Sequence, residues 1–162
     1  MQITSRFSIA VHVLTCVGEF LGERRATSEF LAGSVNTNPV VIRRILGQLK
    51  AAGLVTVDRG TGGVAPTRPF SEITLLDVFR AVEPLENGRL FSVHANPNAD
   101  CPVGRNIHRV LAPVLGEAQA ALEKSLESHT LADVIRETDK LARPDEHLKA
   151  SPSNAENRRP LP

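Results

Sequence analysis

No apolar run in this 162-residue chain is longer than a few residues. That is far short of the roughly 20 that cross a bilayer, so no transmembrane helix is expected. No basic segment followed by an apolar one opens the chain, so no signal peptide is expected, and the expected compartment is the cytoplasm. Cysteine is scarce: Cys16 and Cys101 stand 85 positions apart and form neither a disulfide framework nor a CxxC knuckle. This excludes zinc fingers and secreted mini-proteins. Catalytic signatures are also missing, with no GxSxG, HExxH, GxGxxG or P-loop run and no paired acids at a diagnostic spacing. A catalytic site would have to be assembled from His12, His94, Cys101 and His108, together with scattered carboxylates. Cys101 and His108 are two helical turns apart, too far for direct contact, so no enzymatic activity is expected.

The formal net charge of +1 conceals an asymmetry. Residues 1–68 hold eight Lys and Arg against four Asp and Glu, a balance of +4, while residues 69–162 hold eleven against fourteen, a balance of −3. A basic first half suits a polyanionic partner.

Residues 5–21 set Phe7, Ala10, Val11, Leu14, Val17 and Leu21 on a helical stripe behind Thr4 or Ser5 as the cap. A short second helix starts at Thr27 or Ser28 and stops at a turn, Asn36-Thr37-Asn38. Asn38-Pro39 starts a third helix over 39–52, since Asn accepts from free amides and proline needs no donor at the first position. Its apolar side is expected at Val41, Ile45, Leu46 and Leu49, and its exposed side is basic. Two short strands, 54–58 and 64–67, then flank a glycine-rich tip as a β-hairpin. A helix over 72–83 is expected behind Ser71. The stretch 84–102 has no period, and a loop of that length is more often functional or mobile than idle. A long helical pattern follows to about 128, kinked at Pro113, then a short helix over 130–141. The Pro-, Ser- and charge-rich tail is expected to be disordered.

Three helices and a hairpin give a mostly α fold with a small β wing, the winged helix-turn-helix order, in which the third helix enters a DNA major groove. The residue types suit that task. Arg43 and Arg44 offer forks for guanine or phosphate and Gln48 can address adenine. Ser28, Thr37 and Asn38 stand at helix starts, where hydroxyl, amide and dipole hold phosphate. In the wing, Arg59 beside Gly60, Gly62 and Gly63 puts a cation on a backbone that can approach closely.

These residues also carry a resemblance. The stretches Thr4-Ser5-Arg6 before the first helix, Ser34 to Ile45, the Gly53-Leu54-Val55 exit, the wing, and Ile73-Thr74-Leu75-Leu76-Asp77-Val78 with Val82-Glu83 resemble the Rrf2 family of bacterial winged-helix regulators over residues 1 to about 140. The family includes iron-sulfur sensors, a nitric-oxide sensor and a cysteine-metabolism repressor. The run His94-Ala95-Asn96-Pro97-Asn98 with Cys101-Pro102-Val103-Gly104 is similar to its YwnA-like branch. The resemblance implies a homodimer joined through the long helix on a roughly twofold double-stranded DNA operator, with Arg6, Pro39 and Val40 added to the DNA-contacting set. The wide apolar stripe over 107–126 agrees with a dimer, the alternative being an intramolecular core helix.

Cluster-binding members carry three cysteines in the loop corresponding to 84–104, whereas this chain has Cys101 alone, so no iron-sulfur cofactor and no metal is expected. The sensor candidates are Cys101, His94 and Asn96. Cys101, beside Pro102 at a helix start, is either a reactive thiolate or a small plug of the loop, and Cys16 reads as inert core packing. A small effector lodged between loop and long helix, near Phe91, His94 and Asn96, is a third possibility. The expected organisation is therefore a DNA-binding unit over 1–83, a sensor loop over 84–103, dimerisation helices over 104–141 and a tail over 142–162. The expected function is a sequence-specific, homodimeric repressor, the alternative being a winged-helix protein-interaction module without specific DNA binding.

Overall fold

Each helix of the body starts where a side chain closes onto amides that lack a helical partner. In the computed structural model, which describes residues 4–22, 25–58, 63–83, 85 and 88–142, Thr4 Oγ1 accepts from Arg6 N ahead of α1 (Ser5–Glu19). Thr27 Oγ1 accepts from Phe30 N ahead of α2 (Ser28–Val35). Asn38 Oδ1 accepts from Val40 N at 2.8 Å ahead of α3 (Pro39–Ala51), with Pro39 in the first turn as expected. Such caps stabilise a helix by about 1 kcal/mol each. Between α2 and α3, Asn36 takes the left-handed conformation at φ 56°, and the Thr37 amide reaches back to Ala32 O, which turns the chain tightly.

The hairpin pairs β1 (Val55–Asp58) antiparallel with β2 (Gly63–Pro66), in register from Val55 opposite Pro66 to Asp58 opposite Gly63. Its tip, residues 59–62, lies outside the described residues, and so does the expected tail beyond Ala142. The next helix, α4 (Leu75–Val82), starts later than 72. Its cap is Thr74 rather than Ser71, because Thr74 and Asp77 close a reciprocal capping box and residues 70–72 form a separate 3-10 turn.

One core joins these elements: Val13, Leu14 and Val17 from α1, Leu31 from α2, Ile42, Ile45 and Leu49 from α3, with Leu54, Val55 and Val78. The buried face of α3 thus runs through Ile42 rather than Val41, which is 37% exposed. Positions 42, 45, 46 and 49 are i, i+3, i+4 and i+7, the tighter helical stripe.

The last two helices pack differently within the chain. In α5 (Pro102–Glu127), which continues through Pro113, no residue is fully buried. Leu122 and Leu126 rest on Leu76, Phe79 and Leu90, while Val103, Val110 and Val114 on the far side are 69%, 64% and 58% exposed. The final helix, α6 (Leu131–Ala142), belongs to the body instead. Leu131 is fully buried in the common core, its amide donates to Ile73 O, and Ile135 packs where Gly18 leaves room on α1. The physical reason is the short return through His129 and Thr130, which pairs with the segment before α4 and aims α6 back at α1.

Candidate nucleic-acid interface

The start of α2, the outer side of α3 and the wing share one concave face. A groove of about 390 Å³ runs between them, lined by Ser28, Arg43, Gly47, Lys50, Val57 and Gly63 among others. Gly63 opens β2 in a left-handed conformation at φ +84°, which glycine adopts without steric cost, and stands beside the Ala26 backbone. Lys50 Nζ lies 3.5 Å from Val57 O, so the helix and the wing meet through a cation.

The expected contact residues fall into three groups. Val40, Arg43 and Arg44 are exposed on the first turns of α3, with Asn38 exposed and Thr37 half-buried just before them. Arg43 donates to Glu29 Oε1 at 2.7 Å, a partner the sequence reading missed because it lies fourteen positions away on α2. Glu29's carboxyl is held below its ordinary pKa by its own backbone amide and then by Arg43. Both side chains are more than half exposed, so a phosphate can compete for the arginine. Arg44 has no ion pair among the described residues.

Gln48 differs from its expected place on the exposed face. It is half-buried, with Nε2 3.5 Å from Val82 O and Oε1 buried without a partner among the described residues, because α4 packs along that side of α3. Arg6 lies at the start of α1, which the Thr4 hydroxyl, donating to Glu83 Oε1 at 2.7 Å, ties to the end of α4. Arg59, Gly60 and Gly62 lie outside the described residues.

At the other end, the loop before α5 is held by its own backbone. Asn96 is left-handed at φ 54°, Asn98 Oδ1 accepts from Asp100 N, and Asn98 O accepts from Cys101 N. Gly104 lies directly against the Asn98 carbonyl, leaving no room for a Cβ. Gly104→Ala must therefore lift the loop from α5. A loss of about 1–3 kcal/mol is expected from such overpacking, read by chemical denaturation, with faster hydrogen exchange confined to 94–104.

Cys101 is exposed, and its thiol is held below the ordinary cysteine pKa, first by the Gly104 amide and then by the Val103 amide. Cys16 is buried, with Sγ 3.2 Å from Ser34 Oγ, and both cysteines are free. The rings of His94 and His108 stand edge to face, centroids 4.9 Å apart. Gln119, absent from the expected site, fastens the loop by accepting from Leu90 N and donating to Gly88 O. Its signal was a single amide interrupting the apolar stripe of Leu115, Leu122 and Leu126.

Residues 3–137 match the Rrf2 family, described as iron-dependent transcriptional regulators. The chain is 41% identical over 134 residues to YwnA of Bacillus subtilis strain 168, named as an HTH-type transcriptional regulator, covering 83% of this chain and 97% of that protein. A crystal structure described as a DNA-binding protein superposes with a TM-score of 0.64 at 37% identity, covering 81% of this chain and 99% of the other. IscR of T. potens superposes with the same TM-score at 20% identity over 87% of this chain and 90% of its own, which speaks to the fold alone.

An iron site in this chain would need donors. Cys101 is the one thiol of the loop, and the described residues contain no group of three or more His, Cys, Asp or Glu placed to hold a metal. That donor set does not fit an iron-sulfur cluster, for which four protein ligands are usual. By its winged helix-turn-helix architecture and its match over nearly the whole described length, the chain belongs to the Rrf2 family of transcriptional regulators.

Proposed function

We propose that two copies of this chain, joined along the exposed apolar side of α5, bind a roughly twofold DNA operator in the cytoplasm and repress transcription from it. The observation that carries this reading is the concave face shared by the start of α2, the outer side of α3 and the wing. In that assignment α3 enters the major groove, with Arg43, Arg44 and Val40 facing base edges. Asn38, Thr37, Ser28 and Lys50 hold the flanking phosphates. Arg6 and the wing residues Arg59, Gly60, Gly62 and Gly63 follow the backbone farther out. Gln48 is left to fix α3 against α4. The 84–104 loop tunes affinity, through oxidation of the exposed Cys101 or through a small ligand against α5; His94 and Asn96 shape it.

The test is fluorescence anisotropy of the reduced protein on its own labelled upstream DNA and on a scrambled duplex, at several salt concentrations. Binding that prefers the native sequence and weakens with a log-log slope near −0.9 per phosphate contact is the expected result. Salt-insensitive or indiscriminate binding, persisting after genome-wide DNA selection, would transfer the concave face to a protein partner. In the same assay an oxidant is expected to change affinity in the wild type and not in Cys101→Ser.

A further inference from the structure

A second groove, of about 740 Å³, lies between residues 88–93 and α5. We propose that it binds a small organic carboxylate with a flat apolar body, one per chain. The proposal gives the loop's tuning role a ligand class and rests on that role only for the effect on DNA.

The volume falls within the roughly 300–1,000 Å³ of ordinary small-molecule sites. Its walls have an apolar side that the fold leaves uncovered: Phe91 is 37% and Val93 42% exposed, and both line the groove together with Leu115. Its floor is open because α5 carries Ala112, Gly116 and Ala120 at successive turns, and a Cβ built at Gly116 meets nothing within 4 Å.

Beside the exposed Ser92 hydroxyl, the polar lining has two groups with unused capacity. Gln119 is committed to Leu90 N, Gly88 O and Glu123, and Glu123 is committed to Gln119 and Arg80. His108 Nε2 is buried without a hydrogen-bond partner among the described residues, which costs its desolvation with no return. Arg89 is exposed and has no ion pair among the described residues. A guanidinium fork matches a planar carboxylate with two parallel bonds, and in the proposed complex the His108 ring turns so that Nε2–H, buried in the free protein, donates to the ligand as well. The ring then lies between Phe91 and Leu115. At about 100° per residue, Val110 lies on the far side of α5 from His108 and Gln119, so a second copy centred on Val110 leaves the ligand's polar contacts free.

The chain has neither tryptophan nor tyrosine, so a naphthalene probe can be followed without interference. 2-Naphthoate titrated by anisotropy into the full-length, DNA-free protein is expected to bind one per chain with a Kd of about 1 mM or tighter. The neutral 2-naphthamide is expected to bind at least about tenfold more weakly, and so is naphthoate to Arg89→Ala or His108→Ala. Gly116→Leu projects into open space and should fold normally, by circular dichroism, while abolishing binding. Arg109→Ala, an exposed cation elsewhere on α5, should leave it unchanged. No saturable binding of naphthoate, equal binding of the amide, displacement by inorganic phosphate as effective as by benzoate, or retained binding in a folded Gly116→Leu protein would each overturn the proposal. If naphthoate binds as expected and DNA affinity does not move, the site stands and the loop's tuning role fails.

Discussion

Val110→Asp is expected to turn the proposed α5-paired dimer into a monomer that remains folded. Val110 is 64% exposed, so a carboxylate there disturbs nothing within the chain and its helicity should be unchanged. Across a self-complementary interface the same substitution buries two unpaired charges beside Val103 and Val114 of both copies. Loss of the dimer also removes the coupling between two half-sites, and DNA affinity is expected to fall by about 10²- to 10⁴-fold. Sedimentation equilibrium and the anisotropy assay read the two effects together. A Val110→Asp protein that still sediments as a dimer would remove the α5 face from the interface, and a monomeric wild type would remove the dimer itself.

Arg44→Ala is expected to weaken operator binding by about 1–3 kcal/mol, roughly 5- to 150-fold, and to relax preference at one base pair. A smaller loss of equal size on every sequence, with the salt slope reduced by about one, would make Arg44 a phosphate contact instead. Arg43 differs, because binding DNA must first draw it from Glu29. Glu29→Gln is therefore expected to tighten DNA binding at low salt, with the gain fading as salt rises. An unchanged affinity in Glu29→Gln would mean that Arg43 keeps its partner in the complex and does not reach DNA.

Much of the architecture was legible from short-range chemistry. Asn38 is a recognisable cap, and Thr4 and Thr27 are each one of two adjacent candidates, because a cap bonds an amide only two or three residues on and Ser5 and Ser28 offer the same hydroxyl. Asn36 marked the turn because asparagine tolerates the left-handed conformation. Ser71 was misread as a cap for a related reason: a serine before an apolar run looks the same locally, and the choice of Thr74 depended on its closing a box with Asp77. Val41 was placed inward because 41, 45 and 49 also make a helical stripe. Only contact with α1 and α4 decides between neighbouring stripes.

What the sequence by itself determined was mostly set by residues within about one helical turn of each other: the starts of α1, α2 and α3, the tight turn, the hairpin, the basic side of α3 and the apolar excess of α5. Tertiary structure decided what depends on pairs far apart in the chain. It turned Gln48 toward Val82, thirty-four positions away, joined Arg43 to Glu29, fastened the loop through Gln119 and sent α6 back to α1. Such pairings leave no periodic trace. They are chosen by which surfaces can be buried together, and that is a property of the packed chain rather than of any segment in it.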